Sequence, residues 1–282
     1  QASGAITGTS GSPDTTEYVC ETDDIFILDA GVYNKAAEIR LDLNTNNPTD
    51  VTIENSGTIY RTDTPGSVIK GSGSNRVTLT NKTGATIRGL AQGIFIDSGS
   101  NWTVDNYGTI YGESTKGINI KRGDNNKIIN RSVGEIKTDG ANAILITGTN
   151  DGNDGENTIV ENYGTLSADY STIKAGDYSS GTTITNYSGA TIKATRTANE
   201  YAAVQIDGDN TTITNKGTIS GAGSNHSIEV GNNVTGTKIY VDGAPTFTGE
   251  VELNNAAANT TMYLGCSMTQ DTTIEIHNKP SL

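Results

Sequence analysis

The loop G-T-N-D-G-N-D-G-E-N at residues 148–157 places several hard oxygen ligands in one glycine-rich stretch. The side chains concerned belong to Asp151, Asn153, Asp154 and Glu156. Calcium takes about six to eight oxygen ligands, mostly from carboxylates, amides and backbone carbonyls. The run occurs only once, so two interpretations stay open: a calcium site and a solvated loop. Calcium is the only cofactor that the sequence indicates.

A second set of residues could bind a ligand without catalysing a reaction. These residues follow a repeated Asn and are predicted to form one outward-facing column: Ser56, Lys82, Tyr107, Arg131, Tyr163, Tyr187 and Lys216. None is acidic, although the net charge of the chain is −13. Tyrosines and cations in a row could stack on sugar rings and meet anionic groups. The candidate ligand-binding residues are therefore Tyr107, Arg131, Tyr163, Tyr187 and Lys216. The alternative is ordinary packing between similar coils.

No catalytic constellation emerges from the sequence. The two histidines, His226 and His277, have no metal-ligand spacing. Nucleophile elbows, phosphate loops and Cys–His arrangements are missing. Asp105 is the only Asp at its position in the repeat, where Thr80 and Ile129 stand in the neighbouring copies. A carboxylate pair from different coils stays open because loop registers are uncertain. We therefore predict a protein that is not an enzyme.

The two cysteines, Cys20 and Cys266, lie near opposite ends of the sequence. In a solenoid of about ten coils they would be on the order of 45 Å apart. A disulfide needs Cα atoms within about 7 Å. Two interpretations stay open: inert thiols, and a head-to-tail bond between Cys266 of one subunit and Cys20 of the next. The second interpretation is favoured by the open strand edges of the end coils, because a neighbouring subunit could pair with them.

A short repeat must position all of these residues. It begins with V-T-I-E-N-S-G-T-I at 51–59 and returns as variants such as N-Y-G-T-I at 106–110 and N-K-G-T-I at 215–219. Each copy contains an apolar residue two before the Asn, a Gly shortly after it, and a closing apolar residue. The seven repeated residues are Asn55, Asn81, Asn106, Asn130, Asn162, Asn186 and Asn215. Self-similarity at this period is typical of a solenoid.

The repeat predicts an all-β, right-handed parallel β-helix with three short strands per coil and about ten coils. Strict apolar alternation indicates strands with one buried face. One coil is too small to bury a core, so stacked coils must bury it jointly. The repeated Asn residues share the inward face with an Ile two residues earlier, which predicts an internal Asn ladder. The Gly is expected at a corner that needs unusual backbone angles.

Composition agrees with this architecture and limits the functions. Hydrophobic content is only 33%, which suits the narrow core of a solenoid. We expect residues 1–24 to form a tail or cap and 25–282 one β-helix domain, with regular repeats at 51–231 and irregular coils at 232–282. No apolar run could span a membrane. The acidic balance argues against nucleic acid as a partner.

The N-x-G-T-I motif and its variant N-Y-S-G-A-T-I at 186–192 resemble the passenger regions of bacterial autotransporters and related secreted β-solenoid surface proteins. The resemblance covers about residues 51–231. It implies export and an extracellular location at the bacterial cell surface. Such passengers include adhesins, aggregation factors and some enzymes, and most are followed by a membrane barrel.

Together these observations predict a non-enzymatic extracellular structural or adhesive protein. Its expected partners are further copies of itself, joined head-to-tail into fibres, or cell-surface glycans. The alternative is a polysaccharide-binding or polysaccharide-degrading β-helix protein. Release of sugar fragments from a polysaccharide would distinguish the two.

Overall fold

The computed structural model describes residues 18–19, 22–34, 39–41, 47–61, 66–149, 155–197, 201–223, 226–254, 259–265 and 276–278. Every described regular element is a β-strand, and all strand pairs are parallel. The strands form three sheets that wind into a right-handed solenoid with three strands per coil. The predicted fold class is confirmed. Among the described residues, no helix has the length and apolar character needed to cross a membrane.

Sheet 1 carries the repeated Asn at the end of most of its strands. Its members are β2 (Ile25–Leu28), β5 (Thr52–Asn55), β8 (Thr78–Asn81), β11 (Thr103–Asn106), β14 (Lys127–Asn130), β17 (Ile159–Asn162), β20 (Thr183–Asn186), β23 (Thr212–Asn215), β26 (Lys238–Val241) and β29 (Thr261–Leu264).

Sheet 2 follows sheet 1 after a short turn in each coil. Its members are β3 (Val32–Asn34), β6 (Thr58–Arg61), β9 (Thr86–Gly89), β12 (Thr109–Gly112), β15 (Glu135–Thr138), β18 (Thr165–Ala168), β21 (Thr191–Ala194), β24 (Thr218–Ser220) and β27 (Thr246–Thr248).

Sheet 3 completes each coil. Its members are β1 (Tyr18–Val19), β4 (Ile39–Leu41), β7 (Ser67–Ser72), β10 (Gln92–Asp97), β13 (Lys116–Ile120), β16 (Asn142–Ile146), β19 (Ile173–Ala175), β22 (Val204–Ile206), β25 (Ile228–Val230), β28 (Val251–Leu253) and β30 (Ile276–Asn278).

The solenoid has about eight turns, which run from β5 to β28, rather than the ten expected. The strands β1–β4 and β29–β30 extend it at the two ends. Between β29 and β30 only Gly265 belongs to the described residues. The expected number of ten coils is therefore an overestimate for the part of the chain that the structure describes.

The core is a narrow column of aliphatic side chains shared by successive coils. In sheet 1 the inward residue two before the Asn is fully buried in each regular coil, as in Ile53, Leu79 and Val104. Parallel pairing in strict register places each of these side chains on its counterpart, for example Val104 beside Leu79. Each coil contributes only a few such residues, so the core exists only where coils stack.

The repeated Asn residues lie inside this column and hydrogen-bond along it. Each Nδ2 donates to the Oδ1 of the next Asn, at 2.8 Å from Asn81 to Asn106 and at 2.9 Å from Asn186 to Asn215. Asn106 also donates to the carbonyl of Gly108 and accepts from its amide. In the next coil Val241 occupies the Asn position, and Asn215 Nδ2 is buried with no hydrogen-bond partner among the described residues. The ladder thus ends before the last coils.

The corner glycines have two different physical causes. Where one residue separates Asn and Gly, as at Gly108, an added Cβ would lie 2.2 Å from the carbonyl oxygen of Ala85 in the preceding coil. Close stacking of the corners requires Gly there. Where two residues intervene, as at Gly84, φ is +78° and the surrounding space is open. The expectation that unusual backbone angles explain the Gly in every copy is therefore wrong for the commoner form.

Candidate functional site

The turn between sheets 1 and 2 fixes one column of side chains outside the solenoid. The backbone amide of each turn residue donates to the carbonyl of the preceding coil's Asn, as Tyr163 does to Asn130 at 2.7 Å and Tyr187 to Asn162 at 2.9 Å. Because every coil repeats this bond, the side chains that follow the Asn must stand above one another. We call this column, together with the outward residues of sheet 1, the tyrosine face.

The first part of the tyrosine face is a ridge formed by Lys82, Tyr107, Arg131, Tyr163 and Tyr187. The rings of Tyr163 and Tyr187 are stacked, with centroids 3.9 Å apart and planes 9° from parallel. The Arg131 guanidinium lies 5.3 Å from the centre of the Tyr107 ring. All five side chains are partly exposed. The ridge therefore presents flat aromatic and guanidinium surfaces to solvent over successive coils.

Hydrogen bonding keeps the phenol of Tyr187 neutral. The pKa of Tyr187 is raised to about 12, first by its hydrogen bond with Tyr163, then by burial and by the charges of Tyr163 and Glu161. Its phenol stays protonated over the ordinary pH range. Contacts made by this ring are therefore those of a neutral aromatic surface.

The column continues beyond Lys216 into a groove that the sequence analysis missed. Strict register places Asp242 after Val241 and stacks Tyr240 on Tyr263. The two rings are 4.5 Å apart and 8° from parallel. The groove has a volume of about 440 Å³ and is lined by Thr214, Lys216, Tyr240, Val241, Asp242, Tyr263, Leu264 and Gly265.

The side chains of the groove are more exposed than those of the ridge, and its cations are less closely paired with carboxylates. Tyr263 is 43% exposed and Leu264 is 63% exposed. Lys216 Nζ lies 3.6 Å from the Asp242 carboxylate, which is an ion pair longer than an ordinary hydrogen bond. Lys238 points to the same outward face as Tyr240 and has no ion pair among the described residues. This region therefore combines phenols with available cations.

The alternation of Lys238-Ile-Tyr-Val241 and Met262-Tyr-Leu264 was the signal that could have located the groove. Both segments were interpreted as irregular coils because the Asn–Gly motif disappears there. Aligning Val241 and Leu264 with the Asn position would have placed Tyr240 and Tyr263 beside the tyrosine column. The side-chain type at the inward position changes, but the strand register does not.

A polar cluster on sheet 3 also escaped sequence analysis. His226 Nε2 lies 2.7 Å from Glu252 Oε2, and both residues are buried. Burial, and then the charge of Glu252, raise the pKa of Glu229, while His226 and Asn254 lower it. Because His226 precedes β25 and Glu252 is within β28, the cluster ties two successive coils together. It does not belong to the groove, whose lining residues are on sheet 1 and its turn.

The residues of the predicted calcium site and the two cysteines are not part of the tyrosine face. Asp151, Asn153, Asp154, Cys20 and Cys266 lie outside the described residues. Glu156 is partly exposed, and its backbone amide donates to Asp124 Oδ1 at 3.1 Å. Within the described part of the chain, no three His, Cys, Asp or Glu side chains are grouped so that they could hold a metal ion. The calcium site stays a prediction.

Comparison with known proteins gives one structural likeness. No family model matches the chain, and no curated protein matches it. The crystal structure of alginate lyase from Paenibacillus sp. str. FPU-7 is similar over 88% of this chain and 98% of that chain, with a TM-score of 0.50 and 13% sequence identity. At this identity the likeness shows a common fold, and the protein of known structure is an enzyme.

This likeness reverses the order of the two functional interpretations. The main prediction, a non-enzymatic structural or adhesive protein, is contradicted because the similar β-helix is an alginate lyase. The alternative, a polysaccharide-binding or polysaccharide-degrading β-helix, is better supported. Neither head-to-tail self-association nor the resemblance to autotransporter passengers has support from the comparisons. A site on a β-helix can be assembled from single residues on several coils, so a missing catalytic motif in the sequence does not exclude an enzyme.

Proposed function

We propose that this protein binds a polysaccharide along the tyrosine face and cleaves it in the groove by β-elimination next to a uronic acid. The observation that carries the proposal is the continuity of the face: a ridge of stacked aromatic rings leads into a groove lined by Tyr240, Tyr263 and Lys216. Aromatic rings offer apolar faces to sugar rings, and a groove encloses the chain where it reacts. The likeness to an alginate lyase supports a polysaccharide as the substrate.

The groove contains side chains suited to each step of an elimination. Lys216 would hold the uronic acid carboxylate, which stabilises negative charge as the C5 proton leaves. One phenol of the Tyr240–Tyr263 pair, in its deprotonated form, would accept that proton. The electron pair forms the C4=C5 double bond, the C4–O4 bond breaks, and the second phenol donates a proton to the departing O4.

Hydrolysis is less well supported by the same residues. Most glycoside hydrolases need two carboxyl groups on opposite sides of the scissile bond, about 5 to 10 Å apart. Among the described residues that line the groove, Asp242 is the only carboxylate, and it faces Lys216. Asp242 therefore positions a cation in this proposal rather than acting in a carboxylate pair.

An extracellular location forms part of the proposal. A polysaccharide of high molecular mass is accessible to a protein outside the cell. The sequence resemblance to secreted β-solenoids implies export in the same way. Immunodetection of the native protein in culture medium, cell-surface and cytosolic fractions would test this location.

The experiment that tests the function is incubation of the protein with a panel of uronic-acid-containing and neutral polysaccharides. Elimination is expected to create ultraviolet absorbance from the new C=C bond, together with new reducing ends. New reducing ends without that absorbance would replace elimination by hydrolysis. Binding of a polysaccharide without new absorbance and without new reducing ends would refute cleavage and would indicate a glycan-binding protein.

A further inference from the structure

The cations of the ridge are already neutralised by carboxylates on adjacent coils. Arg131 makes a two-point contact with Asp105, at 2.6 Å from Nε and 3.0 Å from Nη2. Lys82 lies 2.6 Å from Glu54. Lys127, on the same outward face of sheet 1, lies 2.9 Å from Glu161. Each positive charge of this region therefore stands beside a negative one.

The groove differs in charge from the ridge. Its cation Lys216 has only the longer contact of 3.6 Å to Asp242, and Lys238 has no ion pair among the described residues. Tyr187 and Thr185 separate the two regions with uncharged side chains. Among the described residues, available positive charge on the tyrosine face is thus confined to the groove and to Lys238, two residues before Tyr240.

We infer that the substrate is a heteropolysaccharide in which neutral sugars flank a uronic acid, rather than a homopolymer of uronic acids. This inference rests on the proposed function. A homopolymer carries a carboxylate on every sugar, and on the ridge these groups would approach Glu54, Asp105 and Glu161. The net charge of −13 adds a long-range repulsion. Neutral sugars meet neither obstacle, and a single uronic acid carboxylate is sufficient for Lys216, the lysine among the described lining residues of the groove.

The first test compares two polymers with the native protein. One is a polyuronate such as polymannuronate, and the other has neutral sugars and one glucuronic acid in its repeating unit. We expect the heteropolymer to be cleaved at least about tenfold faster at equal concentration of uronic acid. Its affinity should change little with salt, because screening acts mainly on exposed charges and few are used.

The second test removes a carboxylate from the ridge. Asp105→Asn keeps the shape of the side chain and releases Arg131, so affinity for polyuronate should rise about three- to tenfold. Glu113→Gln is the matched control. It releases Arg88, whose Nε lies 2.8 Å from the Glu113 carboxylate. This pair is not on the tyrosine face, and the substitution changes the net charge by the same amount.

The outcomes separate this inference from the proposed function. Cleavage of polyuronate as fast as, or faster than, the heteropolymer would overturn the inference and leave the proposed function standing. Equal polyuronate affinity for Asp105→Asn and Glu113→Gln would also overturn it. If neither polymer is cleaved or bound, the proposed function itself fails.

Discussion

The ridge and the groove occupy the same column of the solenoid but differ in how they are built. Beneath the ridge, the Asn ladder is continuous and the cations are paired with carboxylates at 2.6–2.9 Å. Beneath the groove, Val241 and Leu264 replace the Asn, and the nearest ion pair is 3.6 Å long. The regular coils therefore carry closely paired charges, while the less closely paired Lys216 and the stacked phenols of Tyr240 and Tyr263 occur where the repeat changes. Departures from a local rule often mark functional sites.

The largest expected effect comes from removing one tyrosine hydroxyl group from the groove, compared with removing one from the ridge. Tyr240→Phe keeps the ring and its stacking on Tyr263 but removes the group assigned to proton transfer. Cleavage should fall about 10²- to 10⁴-fold, the usual contribution of a positioned acid or base. The matched control Tyr163→Phe, on the ridge, should change the rate less than about threefold, because stacking remains. Initial rates from C=C absorbance give both values.

Equal losses in the two variants would contradict the functional division between groove and ridge. Circular dichroism of each variant provides the control for folding. Retention of full activity by Tyr240→Phe would remove this residue from the mechanism.

The second comparison concerns stability. Asn106→Ala interrupts the ladder and leaves Asn81 Nδ2 and Asn130 Oδ1 without their partner, so the free energy of unfolding should fall by about 2–4 kcal/mol. Val241→Asn instead offers a partner to Asn215 Nδ2 in the groove coils. It should leave stability unchanged or raise it by up to about 1 kcal/mol. Urea unfolding measures both, and a Val241→Asn variant as unstable as Asn106→Ala would refute this role of the ladder.

The smallest expected effect is a pH dependence at the end of the solenoid that contains the groove. Burial and Glu252 raise the pKa of Glu229, so the folded state binds this proton more tightly than the unfolded chain does. The stability from this group is fully present below the unfolded pKa and is lost as pH rises through the folded pKa. Glu229→Gln should therefore raise the melting temperature at pH 7 by a few degrees at most.

The same substitution should have no stabilising effect below about pH 3, where the carboxyl is protonated in both states. A stabilisation by Glu229→Gln that is equal at both pH values would exclude ionisation as its cause.

The fold was predictable because its information is local and repeated. Ile53, Leu79 and Val104 have the same spacing from their Asn, so register could be inferred without a structure. The number of turns was less accessible, since alternation at the chain ends does not reveal whether a coil closes. The groove was missed because Val241 and Leu264 conceal the alignment that places Tyr240 beside Tyr263.

The sequence by itself determined the parallel β-helix, its three strands per coil and the column of Tyr, Lys and Arg residues. These follow from the alternation of side chains and from a period that repeats along the chain. Only the tertiary structure decided which charges are neutralised, because Arg131 and Asp105 meet across coils through their rotamers. It also decided that Lys216, Tyr240 and Tyr263 share one groove. Ion pairs and cavities depend on side-chain positions in space, which a repeat pattern does not encode.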